Sequence, residues 1–77
     1  MDIIEFEGKI YDARHGGAFD RGGADSYYLR GITPHYYMGD TGSSLLIEEN
    51  CMTDEEKQEY YAGFRYNTQS GDFKDYG

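Results

Sequence analysis

The chain has no valine and no tryptophan, and only one proline and one cysteine. Aliphatic residues are few: Ile3, Ile4, Ile10, Leu29, Ile32, Leu45, Leu46 and Ile47 complete the set. An ordinary aliphatic core is therefore excluded, and apolar area must come largely from Phe6, Phe19, Phe64, Phe73 and the nine tyrosines. A tyrosine brings a large ring but also a hydroxyl that needs a partner when buried. The lone Cys51 cannot form an internal disulfide, which fits a reducing compartment. No apolar run approaches the ~18 residues of a membrane span, so no membrane association is expected. The opening MDIIEFEGK lacks a basic segment followed by an apolar one, so secretion is not expected either.

Positive charge is also scarce. Seven Lys and Arg against fifteen Asp and Glu give a net charge of −8. That argues against direct nucleic-acid binding, whose phosphates need cations, and favours a cytoplasmic protein or one docking on a basic surface. The imbalance is C-terminal: from Thr41 onward eight acids face only Lys57, Arg65 and Lys74. At 77 residues the chain is one small domain, 1–77. Such a chain buries only ~60% of its unfolded surface. Its core should be thin and aromatic, with room for a second copy or another protein to complete it as a homo-oligomer or complex.

The expected fold class is α+β. Residues 2–11 read as one or two short strands, Ile4 and Phe6 alternating with Glu5 and Glu7, with a turn at Gly8-Lys9. Residues 12–23 read as a Gly-rich central loop, because Gly16-Gly17 and Gly22-Gly23 punctuate structure, and Phe19 anchors that loop. A short helix is predicted over Ala24 to Arg30, with Asp25 in its first turn and Gly31 as its stop. Pro34 biases Thr33 toward extended geometry, and His35-Tyr36-Tyr37-Met38 follows as an extended segment ended by a turn at Gly39-Asp40-Thr41-Gly42. Leu45-Leu46-Ile47 is a buried strand or a helix start. Thr53-Asp54-Glu55-Glu56 is a capping box, predicting an amphipathic helix over about 54–68 with Gly71 as its exit. Tyr60, Tyr61 and Phe64 form its aromatic stripe, and Gly63 within it points to close approach by another element. Phe73 and Tyr76 are placed to pin the tail to the body.

Chemistry is concentrated between residues 11 and 39, which hold both histidines, three of the four arginines and five of the nine tyrosines. Arg14-His15-Gly16 invites comparison with the histidine phosphatases, but those need a parallel sheet and further Arg and His ligands that this chain lacks. His15, His35, Cys51 and the aspartates Asp12, Asp20 and Asp25 are metal-ligand types, without any tight zinc spacing. No cofactor motif is present, and the chain does not read as an enzyme. Asp20-Arg21 and Asp25 to Arg30 read first as internal ion pairs. The functional alternative is that Arg14 and Arg21 reach an anionic ligand or a partner's carboxylates. The doublets Tyr27-Tyr28, Tyr36-Tyr37 and Tyr60-Tyr61 serve either the core or a binding surface, where Tyr and Arg are enriched. Glu48, Glu49, Asp54, Glu55, Glu56 and Glu59 are either a solvated face or an imitation of DNA phosphates.

Arg14-His15-Gly16-Gly17, Phe19-Asp20-Arg21-Gly22, Ala24-Asp25-Ser26-Tyr27-Tyr28 and Pro34-His35-Tyr36-Tyr37 resemble a group of short uncharacterised proteins of tailed bacteriophages. Met52-Thr53, Glu55-Glu56, Tyr61-Ala62-Gly63-Phe64 and Gly71-Asp72 extend the likeness over most of the chain. The family pattern differs in having proline at Ala18 and tryptophan at Tyr76. The resemblance implies a phage protein acting in the host bacterial cytoplasm, and it carries over no functional residue. The sequence thus leads to a non-enzymatic phage accessory protein that binds a host or phage protein and possesses a partner surface of Arg14, His15, Phe19, Asp20, Arg21, Asp25, Tyr27, Tyr28, His35 and Tyr36. One alternative is an acidic DNA mimic that inhibits a DNA-binding enzyme. Another is a small metal- or anion-binding protein using His15 and His35.

Overall fold

Helix α2 (Asp54–Ser70) begins at the strongest local signal in the chain. The Thr53 hydroxyl accepts from the Glu56 N–H at 3.1 Å, and the Glu56 carboxylate accepts from the Thr53 N–H at 2.8 Å. Two otherwise orphaned donors are thereby satisfied, while Asp54, Glu55 and Glu56 face the positive end of the helix dipole. The helix runs two residues past the expected end and stops at Gly71, whose left-handed φ of 74° lets its N–H return to the Asn67 and Thr68 carbonyls.

The computed structural model describes residues 2–39 and 44–76. In chain order these form β1 (Ile3–Phe6), β2 (Lys9–Asp12), α1 (Ala18–Tyr27), β3 (His35–Tyr37), β4 (Leu46–Glu48), a 3₁₀ turn (Glu49–Cys51) and α2. The arrangement is α+β, with two separate antiparallel strand pairs, β1-β2 and β3-β4. In the first, Ile4 faces Tyr11 and Phe6 faces Lys9. Its turn is Glu7-Gly8, both at positive φ, one residue earlier than the sequence suggested. Paired positive φ values match the twist of the strands they join. In the second pair, His35 faces Glu48, Tyr36 faces Ile47 and Tyr37 faces Leu46. The turn expected from Asp40 onward lies outside the described residues.

The central stretch differs most from its reading as a loop followed by a helix over 24–30. Helix α1 starts at Ala18, inside the expected loop, and ends at Tyr27, with Leu29 at a left-handed φ of 59° beyond it. Glycines that look like punctuation are contact points instead. A Cβ on Gly22 would sit 2.9 Å from the Tyr60 carbonyl carbon and the Phe64 nitrogen. One on Gly63 would sit 2.8 Å from the Phe19 carbonyl carbon. Each helix thus presents a bare backbone to the other, and tertiary packing overrides the weak helix propensity of glycine.

Two small clusters flank this crossing. Tyr11, Phe19 and Ala62 are buried together, with Ile4, Phe6 and Ala13 against them. The Tyr11 and Phe19 rings stack at 5.1 Å, and Tyr66 meets Phe6 edge-on at 5.3 Å. Phe19 is 4% exposed, the anchor expected of it, and such burial contributes about 1.5–3 kcal/mol. The second cluster joins Ala18, Met52 and Tyr60, with Tyr36, Ile47 and Tyr61 packed on it. Leu45-Leu46-Ile47 is not the buried strand expected: Leu45 is 68% and Leu46 42% exposed, and only Ile47 turns toward the cluster. The tail is held by the Lys74 N–H on the Tyr27 carbonyl at 2.7 Å and the Tyr76 hydroxyl on the Tyr28 carbonyl at 2.8 Å.

Candidate functional site

Side chains from α1, β3 and α2 converge on one carboxylate. Asp25, on α1, is 3% exposed. It accepts from the Tyr60 hydroxyl and, at 2.9 Å, from Arg30 Nε. The Tyr60 oxygen in turn accepts the Thr33 N–H at 2.9 Å, which fixes the segment leading into β3. Burial first, then the bond to Asp25, pushes the Tyr60 phenol well above its ordinary pKa. It therefore remains a donor at neutral pH.

His35 extends the network outward. Arg21 Nε lies 3.2 Å from His35 Nε2, and a guanidinium N–H can only donate, so Nε2 accepts. The ring hydrogen then sits on Nδ1 and is donated to the Thr33 carbonyl at 2.6 Å. Asp25 Oδ2 is 3.8 Å from the same Nδ1, too long for a hydrogen bond. The geometry describes an imidazole held on both edges. Arg21 also lies over the Tyr37 ring at 5.7 Å.

The ten residues expected to share a surface divide among several places. Arg21, Asp25 and His35 come together in this network. Arg14 turns inward, its guanidinium donating to the Tyr37 carbonyl at 2.8 Å and the Gly39 carbonyl at 3.3 Å. Asp20 accepts the Gly16 N–H at 2.9 Å, and exposed His15 lies 3.9 Å from the same carboxylate. Phe19, Asp20, Tyr27 and Tyr28 line a separate groove of about 340 Å³ with Tyr66 and Asn67. Tyr36 points the other way from its β3 neighbours, toward Glu56 and the second cluster. The expected Asp25 to Arg30 ion pair is present. Asp20-Arg21 is not paired that way, since Asp20 caps the Gly16 loop and Arg21 serves His35.

Residues outside the ten expected to form the partner surface complete the site. Tyr60 is its hub, and Tyr37, Leu46 and Glu48 share the β3–β4 face with His35. That face borders an open groove of about 750 Å³, with Thr33, Pro34 and Lys57 at its sides. Met38 and Leu45, at the far end of the pair, are 59% and 68% exposed. The alternation of His35-Tyr36-Tyr37-Met38 was the available signal: a strand must put Tyr36 on one face and His35 and Tyr37 on the other.

Acidic groups gather elsewhere. Asp12, Glu56 and Glu59 line a cleft of about 100 Å³ beside Arg14 and Tyr36. The Thr53 N–H, and also the Tyr36 hydroxyl, hold the Glu56 carboxyl below its usual range. Glu59 is pushed up, first by burial and then by Glu55, Glu56 and Asp12. Among the described residues no group of three or more His, Cys, Asp or Glu is arranged to hold a metal, and no helix is long and apolar enough to cross a membrane. No protein-family model, curated protein or solved structure matches this chain.

Proposed function

We propose that this protein is a non-enzymatic accessory protein that docks on a host or phage protein through the β3–β4 hairpin. The observation that carries the reading is the exposure of apolar side chains on a chain with so few of them. Met38, Leu45 and Leu46 are exposed at one end of the domain's smaller strand pair, while Tyr37, His35 and Arg21 are locked in place beside them. A fixed Tyr and Arg patch has the composition of interface hot spots, and the uncovered aliphatics beside it supply apolar area for a partner to bury. The phage setting, in the host bacterial cytoplasm, rests on the motif resemblance alone.

A second reading, imitation of DNA, is favoured by the exposed Glu48, Glu49, Asp54 and Glu55 around the start of α2. One experiment separates the two. Tagged protein is incubated with bacterial lysate, with or without nuclease, and washed at rising salt. Docking through the hairpin predicts a protein retained at high salt by the wild type and lost by Leu46→Asp. Mimicry predicts a DNA-binding enzyme released by salt or duplex DNA and insensitive to Leu46→Asp. Retention unaffected by Leu46→Asp, salt and DNA would sink both.

A further inference from the structure

The backbone of β4 carries a more specific possibility than its side chains, one that rests on the docking reading above. Met38 N–H donates to the Leu45 carbonyl at 3.0 Å, so in this antiparallel ladder Met38/Leu45 and Tyr36/Ile47 exchange the inward bonds. Backbone groups of the alternate residues point away from the pair. On the β3 side these are occupied: the Tyr37 N–H donates to the Gly16 carbonyl at 2.7 Å, and the Tyr37 carbonyl accepts from Arg14 Nη2 at 2.8 Å. On the β4 side, the Leu46 N–H and C=O and the Glu48 N–H meet no third strand among the described residues. The edge therefore offers a short row of donors and acceptors beside an open groove, the arrangement that invites strand addition.

We propose that β4 binds an extended peptide segment of another protein as an added antiparallel strand, with the order basic residue, any residue, apolar residue. The Leu46 N–H and C=O would exchange bonds with one partner residue, placing that residue's side chain on the His35–Tyr37–Leu46 face. There it meets exposed Leu46, so it is apolar. Two residues earlier in the partner, the side chain opposite Glu48 is Lys or Arg, because opposite charges directly across a sheet are stabilising. Glu49 follows at the same rim. The net charge of −8 draws a basic segment in and repels a second copy of this chain.

The test uses the isotope-labelled full chain and a short blocked peptide containing Lys-Thr-Val, with the lysine two residues before the valine and so on the same strand face, followed by amide resonances. The largest shifts are expected at Leu46 and Glu48, with amide exchange at Leu46 slowed at least about tenfold at saturation. Glutamate in place of the lysine, or N-methylation of the valine, weakens binding by about tenfold or more. Glu48→Pro removes the outward N–H together with the carboxylate while sparing the Tyr36/Ile47 bonds, and should weaken binding further than Glu48→Gln, which removes the charge alone, in a chain that still folds. The largest shifts at β1–β2, unchanged binding of the N-methylated peptide, no binding at millimolar peptide, or self-association through Leu46 would each overturn strand addition. Partner capture that survives Glu48→Pro but not Leu46→Asp would overturn it too, while leaving docking through the hairpin face intact.

Discussion

Two adjacent glycines in α1 should respond in opposite ways to the same methyl group. Gly23→Ala places its Cβ 3.6 Å from the Gly63 carbonyl oxygen, an ordinary contact. Helix propensity then acts alone, and the variant gains about 0.5–1 kcal/mol. Gly22→Ala has no such room. Its Cβ would press on the Tyr60 carbonyl and the Phe64 nitrogen, which are backbone and cannot rotate aside. The helices must part by ~1 Å, enough to forfeit a quarter to a half of the dispersion attraction across the seam. Overpacking of this kind costs about 1–3 kcal/mol even where the neighbours yield. Because the opposing atoms are backbone, the upper end of that range applies, about 3 kcal/mol, and after the propensity gain a net loss of about 2 kcal/mol or more is expected. A 77-residue domain has roughly 4–12 kcal/mol in all, and its Tm moves about 4–8 °C per kcal/mol. Circular dichroism melts should therefore place Gly22→Ala roughly 8–16 °C or more below the wild type and Gly23→Ala slightly above it. Equal melting of the two variants would refute the account of the helix seam.

Other consequences are testable in the same way. Tyr60→Phe leaves the buried Asp25 short of a donor and the Thr33 N–H short of an acceptor, at about 1–3 kcal/mol each, measurable by urea unfolding. Because the Tyr60 phenol is held above its ordinary value of 10.0, its contribution is complete below that pH and is lost as pH rises beyond it. The wild type should accordingly lose stability more steeply than Tyr60→Phe in alkaline melts, and parallel slopes would contradict the assignment. Glu59 is held above its ordinary 4.5 by burial and neighbouring carboxylates, so its ionised form costs stability at neutral pH. Glu59→Gln should melt higher at pH 7, with the advantage shrinking as pH falls through the carboxylate range; an advantage growing with acid would show the sign to be wrong.

What was legible in the sequence was local. Thr53 and Glu56 announce the start of α2 because their reciprocal bonds span only three residues, and Gly71 announces its end. Gly63 signalled a close approach, since glycine in a helix otherwise only costs stability. The partner in that approach was hidden, because Gly16, Gly17, Gly22 and Gly23 have the composition of a loop. The Tyr60 backbone lying against Gly22, and the Phe19 backbone against Gly63, hold α1 as a helix over that stretch. The Asp25 to Arg30 pair was readable at a spacing of five. The bond from Tyr60 to Asp25 joins residues 35 apart and has no sequence pattern. Leu45-Leu46-Ile47 showed apolarity but not cover, and the small domain covers only Ile47.

The most direct test of the docking claim compares charge placed on the two exposed strand pairs. Leu46→Asp and Ile10→Asp both replace an exposed aliphatic residue, 42% and 70% accessible, and should leave folding intact. Affinity for the captured partner is then measured by calorimetry for each. The account predicts that Leu46→Asp weakens binding by at least about tenfold while Ile10→Asp stays within about twofold of the wild type. The reverse order, or equal affinities, would contradict it.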